Sequence, residues 1–146
     1  MSRQTEFLAE LRTALAAIPT DRDATKMFAE YKGNEPFRKS PEAGIESFHV
    51  EPGRAEPREQ FGRAGVKHIT WLVDVLLGHP PYGIESARED AVVLDCNKVS
   101  ELEMHAWTTT GIEGVFYVDN DTDRSLANWW VSAVRFHIEM WQERVT

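Results

Sequence analysis

Three aspartates, Asp119, Asp121 and Asp123, stand in the run D-N-D-T-D and match the spacing of the first three ligands of a calcium-binding loop. That loop also needs a glycine at its sixth position, for a sharp turn, and a bidentate glutamate at its twelfth. Arg124 and Trp130 occupy those positions here. A guanidinium beside the would-be cation opposes binding. The run therefore reads as an acidic turn whose side chains bond their own backbone. A metal-dependent nuclease would need further acids and a lysine on rigid elements nearby, and no such set is legible.

The rest of the chemistry is thin. The five histidines, at 49, 68, 79, 105 and 137, form no H-x-x-x-H pair. Glu101, Glu103 and His105 do not share one helical face, so they make a poor chelate. No nucleophile elbow and no glycine-rich phosphate loop is present. Cys96 is the single cysteine, which excludes an internal disulfide and suits a reducing compartment. It falls among apolar residues on an acidic helix and reads as core, since a reactive thiol needs an electropositive surround. His105 and His137 read as structural. The expectation is a protein that is not an enzyme, with no catalytic residue, no metal and no cofactor.

Charge narrows the partners. Residues 1–77 carry 11 Lys/Arg and 12 Asp/Glu, a net of −1, whereas residues 78–146 carry 5 and 12, a net of −7. A groove that grips DNA needs clustered cations, so this surface repels DNA or simply keeps the protein soluble. No run approaches the roughly 18 apolar residues of a membrane span. The apolar N-terminal stretch contains acidic residues, unlike a signal peptide. The length of 146 residues suits one domain, 1–146, with an ordinary core.

The elements that would position these residues follow from periodicity. Residues 5–18 place Phe7, Leu8, Leu11, Leu15 and Ile18 at helical spacing, with Thr5 as the expected N-cap and Pro19 as the stop. Residues 19–65 hold five of the seven prolines and read largely as loop. MFAEY and IESFHV have strand character within it. Residues 51–65, charged and poor in apolar side chains, read as an extended loop or arm. In residues 66–77, Ile69, Trp71, Val73, Val75 and Leu77 alternate along one face of a strand, which GHPPYG ends. Ser86 and Glu89 form a capping-box pattern opening a helix over 86–107, with Val92, Val93, Cys96, Val99 and Leu102 on its apolar side and Asp95 on the polar one. EGVFYV follows as a short strand and DNDTD as a turn. The aromatic segment 128–142, NWWVSAVRFHIEMWQ, fits either a strand, with Ser132 as a gap in its apolar face, or a helix. Its composition favours a pleated surface.

Taken in order, these pieces resemble the tail terminator proteins of long-tailed bacteriophages, the lambda-type family. The features that carry the resemblance are the opening helix TEFLAELRTAL, the strand and proline loop ITWLVDVLLGHPPYGIESA with its following helix, and the closing VFYVDNDTDRSLANWWVSAVRFHIEMWQ. The resemblance covers most of the chain and is weakest over 19–65. It implies an α+β fold, with two main helices packed on a mostly antiparallel or mixed sheet and a long C-terminal strand. It also implies a homohexameric ring in the virion neck, assembled in the host bacterial cytoplasm. The ring would end tail-tube polymerisation and join the tail to a head-completion or connector protein. Its partners would be its own copies, tube protein and that connector, with genomic DNA only passing through the lumen and no membrane involved. On this reading Pro80, Pro81, Tyr82, Trp129 and Trp141 are candidates for subunit or tube contacts, and Asp119, Asp121 and Asp123 for a DNA-repelling lumen. Two rival expectations are another neck ring of the head-completion type and a non-phage α+β binding domain.

Overall fold

The computed structural model describes residues 2–20, 26–33, 36–39, 46–57 and 66–143. Its elements run α1 (Arg3–Ala16), β1 (Ala29–Glu30), β2 (Ser47–Pro57), β3 (Val66–His79), α2 (Glu85–Ser100), β4 (Ile112–Leu126) and β5 (Trp129–Glu143). The five strands form one sheet in the order β1-β2-β3-β5-β4, antiparallel except for the parallel β1–β2 pair. The fold is thus α+β with a mixed sheet, as expected, and segment 129–143 is its longest central strand.

Both helices cover the same sheet face. Phe7, Leu11 and Leu15 from α1 and Val92, Cys96 and Val99 from α2 are buried there. They meet Ile69, Trp71, Val73, Val75 and Leu77 of β3 and Trp130, Val134, Phe136, Ile138 and Met140 of β5. The period-2 alternation of those strands therefore marks the core face as read. The Phe7 ring packs at 5.0 Å on Trp107 and at 6.1 Å on Trp71, joining α1 to the sheet.

Several local expectations change. The N-cap of α1 is Ser2, whose Oγ accepts from the Thr5 N–H at 3.1 Å, so the helix starts before Thr5. The Ser86–Glu89 capping box does not form. Helix α2 begins at Glu85, which puts Ser86 inside its first turn, and Glu89 is drawn to Arg124 instead. The α-helix ends at Ser100, a 3₁₀ turn spans Glu101–Met104, and Ala106 and Trp107 lie beyond it. Asp95 is fully buried, while Val93 is 54% exposed.

The loops hold two surprises. DNDTD is no turn but part of the 15-residue strand β4, and the turn sits at Ala127–Asn128. In the segment 51–65, residues 51–57 continue β2 and pair with β3, with an irregularity between Pro52 and Ala55; residues 58–65 lie outside the described residues. Prolines fit because, among the described residues, β1 pairs with Ser47 and Phe48 alone, so the rest of β2 is an edge. Of MFAEY, only Ala29 and Glu30 form a strand. Among the described residues, no helix is long and apolar enough to cross a membrane.

Candidate functional site

The sheet face turned away from the helices is covered at one end and open at the other. At the covered end, Phe37 packs on Trp129 at 5.5 Å, and Leu76, Val131 and Ala133 complete a second small core. The Trp129 Nε1–H donates to the Phe37 carbonyl at 3.0 Å. Trp129 is therefore packed inside the chain, which removes it from the candidate contact residues: only 1% of it is exposed.

Strand register arranges the open end in rows. Leu72, His137 and Phe116 lie abreast on β3, β5 and β4, and Asp74, Arg135 and Asp119 form the next row. Leu72 and Phe116 are half exposed, and Val118 beside them is too. In the charged row, Arg135 Nη1 bonds Asp119 at 3.0 Å and Nη2 bonds Asp121 at 3.2 Å, with Asp74 3.9 Å from Nε. Burial raises the Asp74 carboxyl above its ordinary value, opposed by Arg135 and reinforced by Glu51. Three carboxylates around one guanidinium leave the row negative.

Asp119, Asp121 and Asp123 share this face because an extended strand repeats every second residue. Their spacing along it, roughly 6.6 Å per step, is too wide for all three to close on one ion. Asp123 accepts from the Ser125 N–H at 2.9 Å, a bond that lowers its carboxyl. Trp141 marks the far end of the face. It is partly exposed, its Nε1–H donates to Glu113 at 2.5 Å, and its ring packs 4.6 Å from that of His68.

The proline loop serves a separate place. Pro80 is buried, whereas Pro81 and Tyr82 are exposed and line a cavity of about 420 Å³ with Arg88, Arg124 and Trp130. The Arg88 guanidinium lies 3.8 Å from the Trp130 ring centre and donates to the backbone carbonyls of Ala127 and His79 at 2.7 Å each. Arg124, 5.4 Å from the same ring, is held by both oxygens of Glu89 at 2.5 and 2.7 Å. A cation over an indole is attracted by the ring quadrupole, so two arginines and Trp130 form a rigid wall. Tyr82 is the exposed aromatic on its rim.

One polar cluster escaped the sequence reading altogether. His79 Nε2 lies 2.9 Å from Ser132 Oγ, and His79 Nδ1 lies 4.0 Å from Asp95 Oδ2. Ser132 Oγ is also 2.8 Å from Thr122 Oγ1. The residue types suggest a nucleophilic relay, but Ser132, His79 and Asp95 are all fully buried, and no substrate carbonyl can approach Ser132 Oγ in this packing. Glu46 joins His79 and Asp95, with one ligand-type atom of each within 4.8 Å of the others. Parity was the available signal. His79 continues the inward series Ile69 to Leu77, and Ser132 sits in the inward series of β5.

The sequence matches no protein-family model and no curated protein.

Proposed function

We propose that this chain is the repeating subunit of a ring at the head-proximal end of a phage tail tube, a structural protein that stops tube growth and receives the head connector. The observation that carries this reading is the presence of two unlike apolar surfaces on one small chain. One is the row Leu72–His137–Phe116 with Val118 on the open sheet face. The other is the outer side of α2, where Val93 and Leu94 are 54% and 46% exposed. A closed ring is built from head-to-tail contacts, which need two different patches per subunit. Exposed apolar groups in clusters mark contact surfaces. The sheet edges serve the same end, because among the described residues β4 and the outer part of β2 have no neighbouring strand on their outer sides, which lie at opposite ends of the sheet.

The charged row fits a lumen. Asp119, Asp121 and Asp74 outnumber Arg135, and Asp123 adds to them, so passing DNA would meet like charge. Pro81 and Tyr82 stand on another side and are the contact candidates for tube or connector. Light scattering with negative-stain imaging tests the reading. Rings of about six subunits, a closed cyclic assembly, that cap added tube protein support it. A strict monomer that ignores tube protein sinks it.

A further inference from the structure

We propose that the outer half of the β4 edge, from Asp119 to Arg124, takes an added strand from another protein, an extended segment with lysine or arginine at alternate positions. The inference holds whether or not the chain closes into a ring.

The direction of the backbone groups along β4 follows from its ladder with β5. The Trp141 N–H donates to the Gly111 carbonyl, just before β4, at 2.8 Å. The odd-numbered residues of β5 therefore turn their backbone groups toward β4, since direction alternates along an antiparallel strand. Arg135, Ala133 and Val131 belong to that series, and their register partners are Asp119, Asp121 and Asp123. These aspartates bond inward, so Asn120, Thr122 and Arg124 between them turn N–H and C=O outward. Among the described residues, no strand lies on that side.

The other stretches of edge are blunted. Tyr117 stands before the irregularity between Tyr117 and Asp119, and its outward N–H donates to Glu103 Oε2 at 3.1 Å. The 3₁₀ turn Glu101–Met104 thus caps the edge at that point. On the far side of the sheet, Pro52 and Pro57 remove donors from β2. The segment from Asp119 onward has no proline. Its Thr122 carbonyl meets Arg124 Nη1 at 3.2 Å, a bond from an exposed side chain that an incoming N–H can replace.

Charge selects the occupant. The Asp119 and Asp121 side chains are 58% and 67% exposed and share the Arg135 guanidinium, and Asp123 is exposed beside them. Three carboxylates against one guanidinium leave an acidic stripe along the open edge. A second copy of β4 laid alongside would bring aspartates near aspartates, and like charges across a strand pair are destabilising. A segment with a cation at every second position matches the two-residue repeat of the stripe and sets its charges on the same face. Main-chain bonds then supply affinity, and the alternating charges supply selectivity.

The probes are three short peptides with blocked ends: one alternating lysine and threonine, one with glutamate in place of lysine, and the lysine peptide N-methylated along its bonding edge. The lysine peptide should bind the intact chain, more weakly as salt rises, and should shift the amide resonances of Asn120, Thr122 and Arg124. N-methylation removes two or three main-chain bonds and should weaken binding roughly tenfold or more. Asn120→Pro, which deletes an outward donor at an edge position, should weaken the lysine peptide as well. Should that variant fail to fold, the N-methylated peptide on the unaltered chain decides alone. Equal binding of the lysine and glutamate peptides overturns the proposal, as does indifference to N-methylation or no binding of the lysine peptide. Shifts of the same three amides on raising the protein concentration alone would give the edge to a second copy, and would overturn it too.

Discussion

The Trp129 indole lies against Gly78 so closely that a Cβ at position 78 would overlap its ring. The indole is pinned from above by Phe37, so it has little room to retreat. Gly78→Ala should therefore cost about 1–3 kcal/mol, the usual penalty of overpacking. Urea unfolding followed by tryptophan fluorescence would measure it. An unchanged midpoint would mean that the cover formed by Phe37 yields freely.

Arg135 is the cation of the charged row, and Arg135→Met leaves Asp74, Asp119 and Asp121 facing one another. The groups are partly exposed, so solvent screens them and the loss should be small, about 0.5–1 kcal/mol. Its pH dependence is diagnostic. Asp74 has a raised folded value, so its ionisation is penalised in the folded state. That penalty is fully present at neutral pH and is relieved as pH falls through the raised value. The deficit of the variant should thus be largest at neutral pH and shrink in acid. Denaturant midpoints across that range would check it, and a constant deficit would contradict it.

Glu10 works in the opposite sense. It accepts from the Thr108 and Thr109 N–H groups at 2.8 Å each and from Thr109 Oγ1 at 2.6 Å, tying α1 to the segment before β4. Burial pushes its carboxyl up, but those bonds outweigh burial and leave it lowered. Its stabilisation is present above the ordinary value of 4.5 and is lost as pH falls through the lowered one. Glu10→Gln should cost about 1–3 kcal/mol at neutral pH, and its stability should converge with that of the unaltered chain in acid. Parallel acid titrations by circular dichroism would show whether the curves meet.

The ring reading makes its own demand on Leu72 and Phe116. Both are half exposed, so Leu72→Asp and Phe116→Asp should change monomer stability by about 0.5 kcal/mol or less. Each should abolish the assembled species in light scattering. Rings that persist in both variants would remove the open sheet face from the contact.

Cys96 is buried, and burial pushes its thiol up, with a smaller opposing effect from Ser132. A thiol reagent should label it only at the rate at which the fold opens. Labelling in a few seconds under native conditions would show that α2 lifts easily from the sheet.

The core was legible wherever burial imposed a period on one face. Phe7, Leu11 and Leu15 on α1 and the odd-numbered series Ile69 to Leu77 on β3 were readable for that reason. The first part of β4 was legible too, as EGVFYV, but its continuation from Asp119 was not, because that exposed half is rich in Asp and Asn, residues suited to a solvated edge and depleted from ordinary strands. The outer half of β2 was hidden by Pro52 and Pro57, which an edge tolerates. The interior cluster was legible only in part, since parity turns His79 and Ser132 inward but does not bring the group together. Glu46, His79 and Asp95 are far apart along the chain, and only the packing of α2 over the ends of β2 and β3 brings them together. The pairing of Asp119 and Asp121 with Arg135 likewise depends on strand register, which no local pattern reveals.

The strand order β1-β2-β3-β5-β4 also has a consequence for synthesis. Strand β5 is made after β4 yet lies between β4 and β3. Until β5 is available, the β2–β3 pair has an open side and β4 has no neighbour to join. The two halves of the sheet cannot meet until β5 slides between them and satisfies both edges at once. The chain should therefore emerge sticky and fold late, in one cooperative step, and the acidic side chains of β4 are well placed to keep neighbouring nascent chains apart during that interval.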